Sequence, residues 1–284
     1  MNIVRYLDPQ GPRWGWLNGE RVVPLESGPI DAGLDLNGLF ARARRQRDEG
    51  IAGDFGQPLA GLSLLAPIEP TSTVYCVGIN YKAHASEAGR DLPPYPSLFL
   101  RRHGSLVGAG QPLHAPTVSE QLDFEGELAL VIGSGGRNIA IADATAHVGA
   151  YTCLNDGSVR DFQRHSVTAG KNFEASGACG PWLVSADDIA NPQDLQLRTR
   201  VNGIEMQSAN TGQLIYPIAT LISYISQFAH LRPGDVISTG TPEGVGAARK
   251  PPLWLKAGDR VAIEISGIGT LENQVLAIES GNGD

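Results

Sequence analysis

The sequence predicts an α+β fold with an antiparallel or mixed β-sheet. Segments with the period-two or continuous apolar pattern of strands dominate over segments with helical spacing. These strands do not alternate regularly with helices, as they do in parallel α/β proteins. The sequence also contains no internal repeat, heptad pattern or low-complexity tract.

Residues 1–70 are predicted to form a small N-terminal α/β domain, and residues 71–284 a larger domain. In the first, residues 3–7 and 14–17 alternate like strands, and residues 36–48 have helical spacing. Residues 59–68, bounded by prolines, are expected to connect the two domains.

The larger domain is expected to contain most of the strands. They are predicted at residues 74–78, 97–100, 123–132, 150–157, 195–201, 204–205, 236–239, 260–265 and 271–277. Helical patterns occupy residues 81–89, where Gly89 ends the helix, residues 141–147 and, most clearly, residues 214–228. Beyond Val159 we expect a long loop that contains Lys171.

Composition excludes several classes of protein. The chain has 284 residues, 42% of them hydrophobic and 18% charged, which is typical of a globular protein. A net charge of −8 with few basic clusters argues against a nucleic-acid partner. The three cysteines form no CxxC motif and fit buried free thiols in a reducing compartment. Without an apolar run of 18 residues or a signal peptide, we expect a cytoplasmic protein with no membrane partner.

Two glutamates on one predicted strand point to a metal site. Side chains two apart on a strand face the same way, so Glu125 and Glu127 would lie roughly 7 Å apart. Because buried like charges need compensation, we expect a divalent cation, with Asp156 at the next strand end as a third ligand. Ligation by oxygen alone favours Mg²⁺ or Mn²⁺, with Ca²⁺ also acceptable, over zinc. The alternative is an edge strand with outward-facing glutamates. Asp123 has the same parity and is a possible extra ligand, but it is expected at an exposed strand start.

A histidine and a glutamate share one face of a predicted helix. His84 and Glu87 are spaced i, i+3, so their side chains are neighbours, and the carboxylate would orient the imidazole as a general base. The alternative is a weak pair on a surface helix. Lys171, in Gly170-Lys171-Asn172-Phe173, could stabilise negative charge near a metal, or be an ordinary solvated lysine.

A loop of small residues follows the strand at 236–239. Thr239-Gly240-Thr241 begins this loop, whose backbone N–H groups and Thr241 hydroxyl could bind a substrate carboxylate. The alternative is a plain turn. Since no helical pattern follows, the loop is not a dinucleotide-binding motif.

Taken together, these motifs resemble the fumarylacetoacetate hydrolase superfamily, especially its smaller acylpyruvase-like and 2-hydroxyhepta-2,4-diene-1,7-dioate isomerase-like members. The matching segments follow the family's order, at residues 77–87, 123–128, 155–163, 170–173, 180–182, 231–235 and 239–246. The resemblance implies a mixed β-sandwich roll with a divalent metal in its mouth. It also implies cleavage of a C–C bond in an acylpyruvate or another 1,3-diketo acid, or decarboxylation or isomerisation of a 2-oxo acid.

The resemblance also implies roles for individual residues. The metal ligands would be Glu125, Glu127 and Asp156. The remaining site residues would be His84 and Glu87 as the water-activating pair, Lys171 as the charge-stabilising lysine, Gln163 as a substrate-contacting amide, and Gly240 and Thr241 as part of the substrate-anchoring loop. Arg101 stands where many members carry lysine, so it receives no role. The resemblance, together with exposed sheet edges, implies a homodimer.

Three functions remain open from the sequence. The histidine–glutamate pair favours a metal-dependent hydrolase of a fumarylacetoacetate-, fumarylpyruvate- or acylpyruvate-like acid. The same base could instead move a proton between carbons, which would give an isomerase or decarboxylase of 2-oxo or hydroxymuconate-type acids in aromatic catabolism. A metal-binding module without catalysis is disfavoured, because both the ligands and the base are present.

Overall fold

The structure is a computed structural model that describes residues 1–25, 35–51 and 56–278. The last residues of the predicted larger domain, 279–284, lie outside the described residues. In chain order the strands are β1 (Asn2–Asp8), β2 (Gly11–Asn18), β3 (Arg21–Pro24), β4 (Gln57–Pro58), β5 (Ser63–Leu65), β6 (Val74–Gly78), β7 (Ser97–Arg101), β8 (Leu106–Val107), β9 (Leu113–Ala115), β10 (Leu122–Asp123), β11 (Gly126–Ile132), β12 (Val148–Asn155), β13 (Ser158–Val159), β14 (Gly177–Ser185), β15 (Gln196–Val201), β16 (Ile204–Asn210), β17 (Val236–Ser238), β18 (Arg260–Ile265) and β19 (Gly269–Ala277). The helices are α1 (Leu36–Asp48), α2 (Lys82–Glu87), α3 (Arg160–Gln163), α4 (Val167–Lys171) and α5 (Ile218–Phe228).

The strands form one large and one smaller mixed sheet, together with a short β10–β13 pair. The large sheet has the order β4-β3-β2-β1-β14-β12-β11-β17-β6-β7, with β5 added to β1 and β8 to β14. Its pairs are antiparallel except β17–β6 and β14–β8. The smaller sheet has the order β16-β15-β18-β19-β9. The predicted α+β fold with a mixed sheet is therefore confirmed.

The centre of the large sheet is buried on both faces by side chains of different size. All seven residues of β11 are buried. On one face Leu128 and Leu130 belong to the same apolar cluster as Leu197 and Ile263 of the smaller sheet. On the other face, small side chains such as Ala129 join the cluster that contains α1. Because strand residues alternate between faces, β11 separates two packed layers and is held in a fixed register.

The first strands of the chain belong to the large sheet. Ile3 on β1 pairs with Leu183 on β14. The apolar face of α1, including Leu36 and Phe40, shares its cluster with Leu154 of β12. Since this sheet and this cluster extend across residue 70, the division into domains 1–70 and 71–284 stays a prediction.

Several predicted elements differ from the structure for local reasons. Strand β14 was missed, because Gly180-Pro181 reads as a turn, although it lies inside a nine-residue central strand. Helix α5 begins only at Ile218, after Pro217, and the helix predicted at 141–147 is a 3₁₀ turn over Ala144–His147. The expected loop beyond Val159 contains α3 and α4. The strand predicted at 204–205 continues to Asn210.

Two expectations from composition concern the thiols and the membrane. All three cysteines are free and buried, and burial is the main cause that raises the thiol pKa of Cys179 to about 12. Burial likewise raises the thiol pKa of Cys76 and Cys153. In the described residues, no helix has the length and apolar character needed to span a bilayer.

Candidate active site

The predicted site residues gather around one cavity of about 320 Å³. The cavity lies where the chain entering β11, the chain leaving β12, helices α2 and α4 and the loop after β17 come together. Among its lining residues are His84, Glu87, Glu125, Glu127, Asp156, Gln163, Lys171 and Thr241. Side chains from six separate segments of the sequence therefore share one solvent-accessible space.

The three expected metal ligands are brought together by the pairing of β11 with β12. Gly126 is opposite Asn155 in the antiparallel register, and the Asp156 N–H donates to the Glu125 carbonyl at 2.8 Å. One carboxylate oxygen from each of Glu125, Glu127 and Asp156 lies within 4.8 Å of the other two. Gly126 between the glutamates cannot carry a side chain, because a Cβ would lie 2.1 Å from the Thr199 hydroxyl.

The Lys171 ammonium is shared between two of these carboxylates. Its Nζ lies 2.5 Å from Glu125 Oε2 and 2.6 Å from Asp156 Oδ2. Burial alone would lower the pKa of Lys171, but Asp156 and Glu125 raise it, so the ammonium form is favoured. Burial opposes ionisation of Glu125 as well, yet Lys171 and Arg160 hold the pKa of this carboxyl below its usual range.

Glu127 has no such cationic partner. Its Oε2 accepts hydrogen bonds from Ser238 Oγ at 2.5 Å and from the Gly240 N–H at 2.9 Å. Within the described part of the chain, Oε1 accepts none. Burial, followed by the charges of Asp156 and Glu125, raises the pKa of Glu127 well above that of an ordinary carboxyl. This side chain is therefore the uncompensated member of the cluster.

The residues present fit a hard divalent cation. The donor set is oxygen only, the three carboxylates are buried, and Glu127 offers an unpartnered oxygen beside two like charges. Mg²⁺ and Mn²⁺ prefer such ligands, whereas structural zinc usually takes sulfur or nitrogen. The alternative of an edge strand with outward-facing glutamates is wrong, because β11 is central and Glu125 and Glu127 are 5% and 1% exposed.

Asp123 differs from its predicted position at an exposed strand start. It is fully buried, because the predicted strand at 123–132 breaks between β10 and β11. Its carboxylate accepts hydrogen bonds from the Gly246 N–H at 2.8 Å, from the Ala247 N–H at 3.0 Å and from Arg160 Nε at 2.8 Å. Asp123 thus connects the loop after β17, which forms one wall of the cavity, to Arg160, which contacts Glu125.

Two arginines support the carboxylates, and sequence reasoning gave neither of them a role. Arg101 Nη1 lies 2.6 Å from Asp156 Oδ1, and the same guanidinium also contacts Ser105 and Ser176. Arg160 Nη2 lies 2.6 Å from Glu125 Oε1, in an ion pair without hydrogen-bond alignment. The signal for Arg101 was its charge directly after an apolar strand, where burial requires a carboxylate partner.

The histidine–glutamate pair forms as its spacing predicted. His84 Nδ1 is 2.7 Å from Glu87 Oε1, and His84 is only 7% exposed. Glu87 Oε2 in turn accepts a hydrogen bond from the Gly244 N–H at 2.9 Å. Nε2 of His84 has no hydrogen-bond partner in the described part of the chain. The pair lines the cavity and is not on an outer surface; its role as general base stays a prediction.

The predicted substrate-contacting residues line the cavity or support its wall. Gln163 Oε1 accepts a hydrogen bond from Arg160 Nη1 at 2.9 Å. Thr241 Oγ1 donates to the Gly126 carbonyl at 3.0 Å, and the Gly240 N–H is bound to Glu127. These contacts fasten the start of the loop against β11. Substrate binding by Gln163, Gly240 and Thr241 stays a prediction.

Comparison with known proteins identifies the family. The model of the fumarylacetoacetate (FAA) hydrolase C-terminal family matches residues 73–276. The chain belongs to the fumarylacetoacetate hydrolase family. A second model, described as Rv2993c-like, N-terminal, matches residues 1–67. As a member of the FAA hydrolase family, the protein is an enzyme of a class that acts on small organic acids.

Relatives within the FAA hydrolase family carry different activities in their names. The mitochondrial oxaloacetate tautomerase fahd2 of Xenopus laevis is 42% identical over 221 residues, which are 76% of this chain and 69% of the relative. A 5-carboxymethyl-2-hydroxymuconate delta-isomerase structure from Mycobacterium smegmatis has 33% identity and a TM-score of 0.77, covering 99% of this chain and all of that one. The Sphingobium maleylpyruvate hydrolase, solved with manganese(II) and pyruvate, has 28% identity and a TM-score of 0.80, covering 98% of this chain and all of that one.

The charge distribution predicts opposite effects for two isosteric substitutions. In metal-free protein, Glu127→Gln removes a repelled buried charge, so it should not lower the melting temperature. Because the native pKa of Glu127 is raised, its protonated form stabilises the fold, and wild type should lose stability relative to this variant as pH rises above about 4.3. Glu125→Gln leaves Lys171 and Arg160 under-compensated and should lose about 3–5 kcal/mol.

Thermal denaturation in chelator and in Mn²⁺ measures both effects. Wild type should gain stability with Mn²⁺, and Glu127→Gln should lose that gain. If Glu127→Gln were as unstable as Glu125→Gln in chelator, or were still stabilised by Mn²⁺, the assignment of Glu127 as the uncompensated ligand would be wrong.

The contact between Glu87 and Gly244 predicts a specific requirement for glycine. Gly244 has φ of 100°, and a Cβ there would lie 2.1 Å from the Met206 carbonyl oxygen. Gly244→Ala should displace the loop, break the bond to Glu87, shift the imidazole NMR signals of His84 and lower turnover at least about tenfold. Gly203→Ala is the control, since Gly203 has φ of 81° with no atom within 4 Å of the added Cβ. Both variants carry backbone strain of about 1–2 kcal/mol, so equal effects on the His84 signals would contradict the prediction.

Proposed function

We propose that the protein is a divalent-metal-dependent tautomerase that interconverts the keto and enol forms of an oxaloacetate-like 2-oxo acid. The observation that carries this proposal is the position of one imidazole–carboxylate pair beside a buried cluster of three carboxylates in a single small cavity. The name of the 42% identical relative supports the choice of reaction and substrate class.

The carboxylate cluster would hold the metal. Glu125, Glu127 and Asp156 present the oxygen ligands, and Mn²⁺ or Mg²⁺ is the proposed cation. The chemistry that such a cation supplies is polarisation of the 2-oxo group, which makes the neighbouring C3 hydrogens more acidic.

Proton transfer is the task of the His84–Glu87 pair. Neutral His84 takes a proton from C3 of the keto acid, and the C3 electron pair forms the C2–C3 double bond of the enolate. Glu87, held by the Gly244 N–H, orients the imidazole and stabilises its charged form. The imidazolium then returns the proton to the enolate oxygen, which completes the enol without gain or loss of atoms. Lys171 adds a fixed positive charge beside this centre.

Hydrolysis of an acylpyruvate or a related 1,3-diketo acid is the second candidate. The observation that favours it is the same pair, since His84 could take its proton from water instead of from carbon. The hydroxide would attack the distal carbonyl, the C–C bond would break, and the released enolate would take up a proton. A maleylpyruvate hydrolase among the structural neighbours supports this alternative.

The two candidates are separated by following one enzyme with two substrates. Mn²⁺-loaded protein should speed the decay of the enol of oxaloacetate, seen by ultraviolet absorbance, and the exchange of C3 hydrogens with deuterated solvent, seen by NMR. With acylpyruvates, chromatography should detect little pyruvate. Release of pyruvate and the free acid, without faster enol decay, would reject the tautomerase in favour of the hydrolase.

The role of His84 is tested on the same reaction. His84→Ala should cut turnover by roughly 10²–10⁴-fold, the usual contribution of a positioned base. Glu87→Gln should cause a smaller loss, because the imidazole stays in place. Both variants should still be stabilised by Mn²⁺, as neither side chain is a proposed ligand. Wild-type turnover by His84→Ala would refute the proton-transfer role.

We further propose a homodimer, on the basis of exposed apolar residues on strands at the ends of the sheets. Strand β7 ends the large sheet with Leu100 51% exposed, and β16 ends the smaller one with Ile204 65% exposed. Such edges are commonly covered by another chain. Sedimentation at micromolar concentration should give twice the chain mass of 30.1 kDa; a species of single mass would contradict the proposal.

A further inference from the structure

Arg90 is fixed at the edge of the cavity by the way α2 ends. Gly89 adopts φ of 62°, and its N–H donates to the Ser86 carbonyl at 3.1 Å. The Arg90 N–H donates to the Ala85 carbonyl at 2.9 Å. This pair of bonds is a Schellman cap, which determines where the chain leaves the helix. The sequence Gly89-Arg90 therefore places a guanidinium group directly after the helix that carries the His84–Glu87 pair.

Arg90 differs from the other cations that line the cavity. Lys171 is bound between Glu125 and Asp156, and Arg160 contacts Glu125. Arg90 also lines the cavity and is exposed, but its side chain makes no hydrogen bond or ion pair with any residue the structure describes. Its charge is thus available to a ligand.

The charges around the proposed metal site can balance one carboxylate of a substrate. Four buried carboxylates there face two buried cations and the half-buried Arg160, which leaves one formal negative charge when all are ionised. The Glu87 carboxylate lies outside this group and is paired with His84. A divalent cation changes this to one positive charge, which the carboxylate next to a 2-oxo group balances. A second carboxylate on the substrate would need a further cation, since an unpaired charge loses hydration on burial.

We propose that Arg90 binds a second carboxylate of the substrate, distal to the 2-oxo acid group, and so selects dicarboxylic over monocarboxylic 2-oxo acids. This inference rests on the proposed function and adds the substrate class to it. The guanidinium fork suits bidentate binding of a carboxylate. The cavity volume of about 320 Å³ lies at the lower end of ligand pockets, which span about 300–1,000 Å³, and suits a short dicarboxylate.

The test compares oxaloacetate with its 4-methyl ester, which keeps the 2-oxo acid group and lacks the distal charge. Mn²⁺-loaded wild type, Arg90→Ala and Arg90→Lys are each measured for Kd by calorimetry and for kcat/KM by enol decay. Lys82→Ala is the matched control, because Lys82 is an exposed cation on α2, the helix that precedes Arg90, and does not line this cavity.

In wild type, oxaloacetate should be preferred over the ester in both Kd and kcat/KM. Arg90→Ala should reduce this preference about 10- to 100-fold, the usual contribution of a hydrogen bond to a charged group. Arg90→Lys should keep part of the preference, and Lys82→Ala should keep all of it.

Two results would overturn the inference. If Arg90→Ala weakened the binding of oxaloacetate and of the ester equally, Arg90 would stabilise the cavity without binding the distal carboxylate. If Arg90→Ala changed neither ligand, Arg90 would be a solvated surface cation. Failure of the proposed function can be distinguished from failure of this inference. If the protein is not a tautomerase, wild type will turn over neither compound, but its binding preference for oxaloacetate over the ester can still be measured by calorimetry.

Discussion

The site depends on the burial of more negative than positive charge at the mouth of one sheet. Each of three cations in this cluster is paired with at least one carboxylate, and one carboxylate is left without a cation. The carboxylates are Asp123, Glu125, Glu127 and Asp156, and the cations are Arg101, Arg160 and Lys171. Because unpaired buried charge is unfavourable, the fold favours either the protonated form of Glu127 or the proposed cation at this place.

The same charge network sets the shape of the cavity. Asp123 fastens the wall that follows Gly244, through two backbone N–H groups. Glu87 fastens the opposite side of this loop to α2. The base, the proposed metal ligands and the cavity wall are thereby connected through buried carboxylates, so that hydrogen bonds to backbone groups, and not side-chain packing alone, fix their relative positions.

Sequence patterns were sufficient where local geometry decides the outcome. The two-residue spacing predicted that Glu125 and Glu127 face the same site, and their carboxylate oxygens come within 4.8 Å of each other. The three-residue spacing predicted the contact between His84 and Glu87, which forms on α2. The α+β class followed from the excess of strand patterns. The grouping of these pairs with Lys171 came from the family resemblance, because no local pattern reports which distant segments meet.

Other features could not be read locally because long-range pairing overrides local preference. Strand β14 contains Gly180-Pro181, yet its position between β1 and β12 makes it a strand. Asp123 looked like an exposed strand start, but apart from the Phe124 N–H its partners lie 37 to 124 residues away in the chain. Arg101 gained a role only when β7 was placed beside the turn that carries Asp156.

The alternation of side-chain size along β11 has a consequence for how such an enzyme can change. Glu127 has the same parity as Ala129 and Val131, and the opposite parity to the large leucines that meet the smaller sheet. A single inserted or deleted residue in this strand would exchange the two faces and carry Glu127 away from Asp156 at the same time. The register of β11 thus fixes both the packing of its two faces and the position of Glu127. Substrate preference can therefore diverge through substitutions in the surrounding loops while this strand stays unchanged.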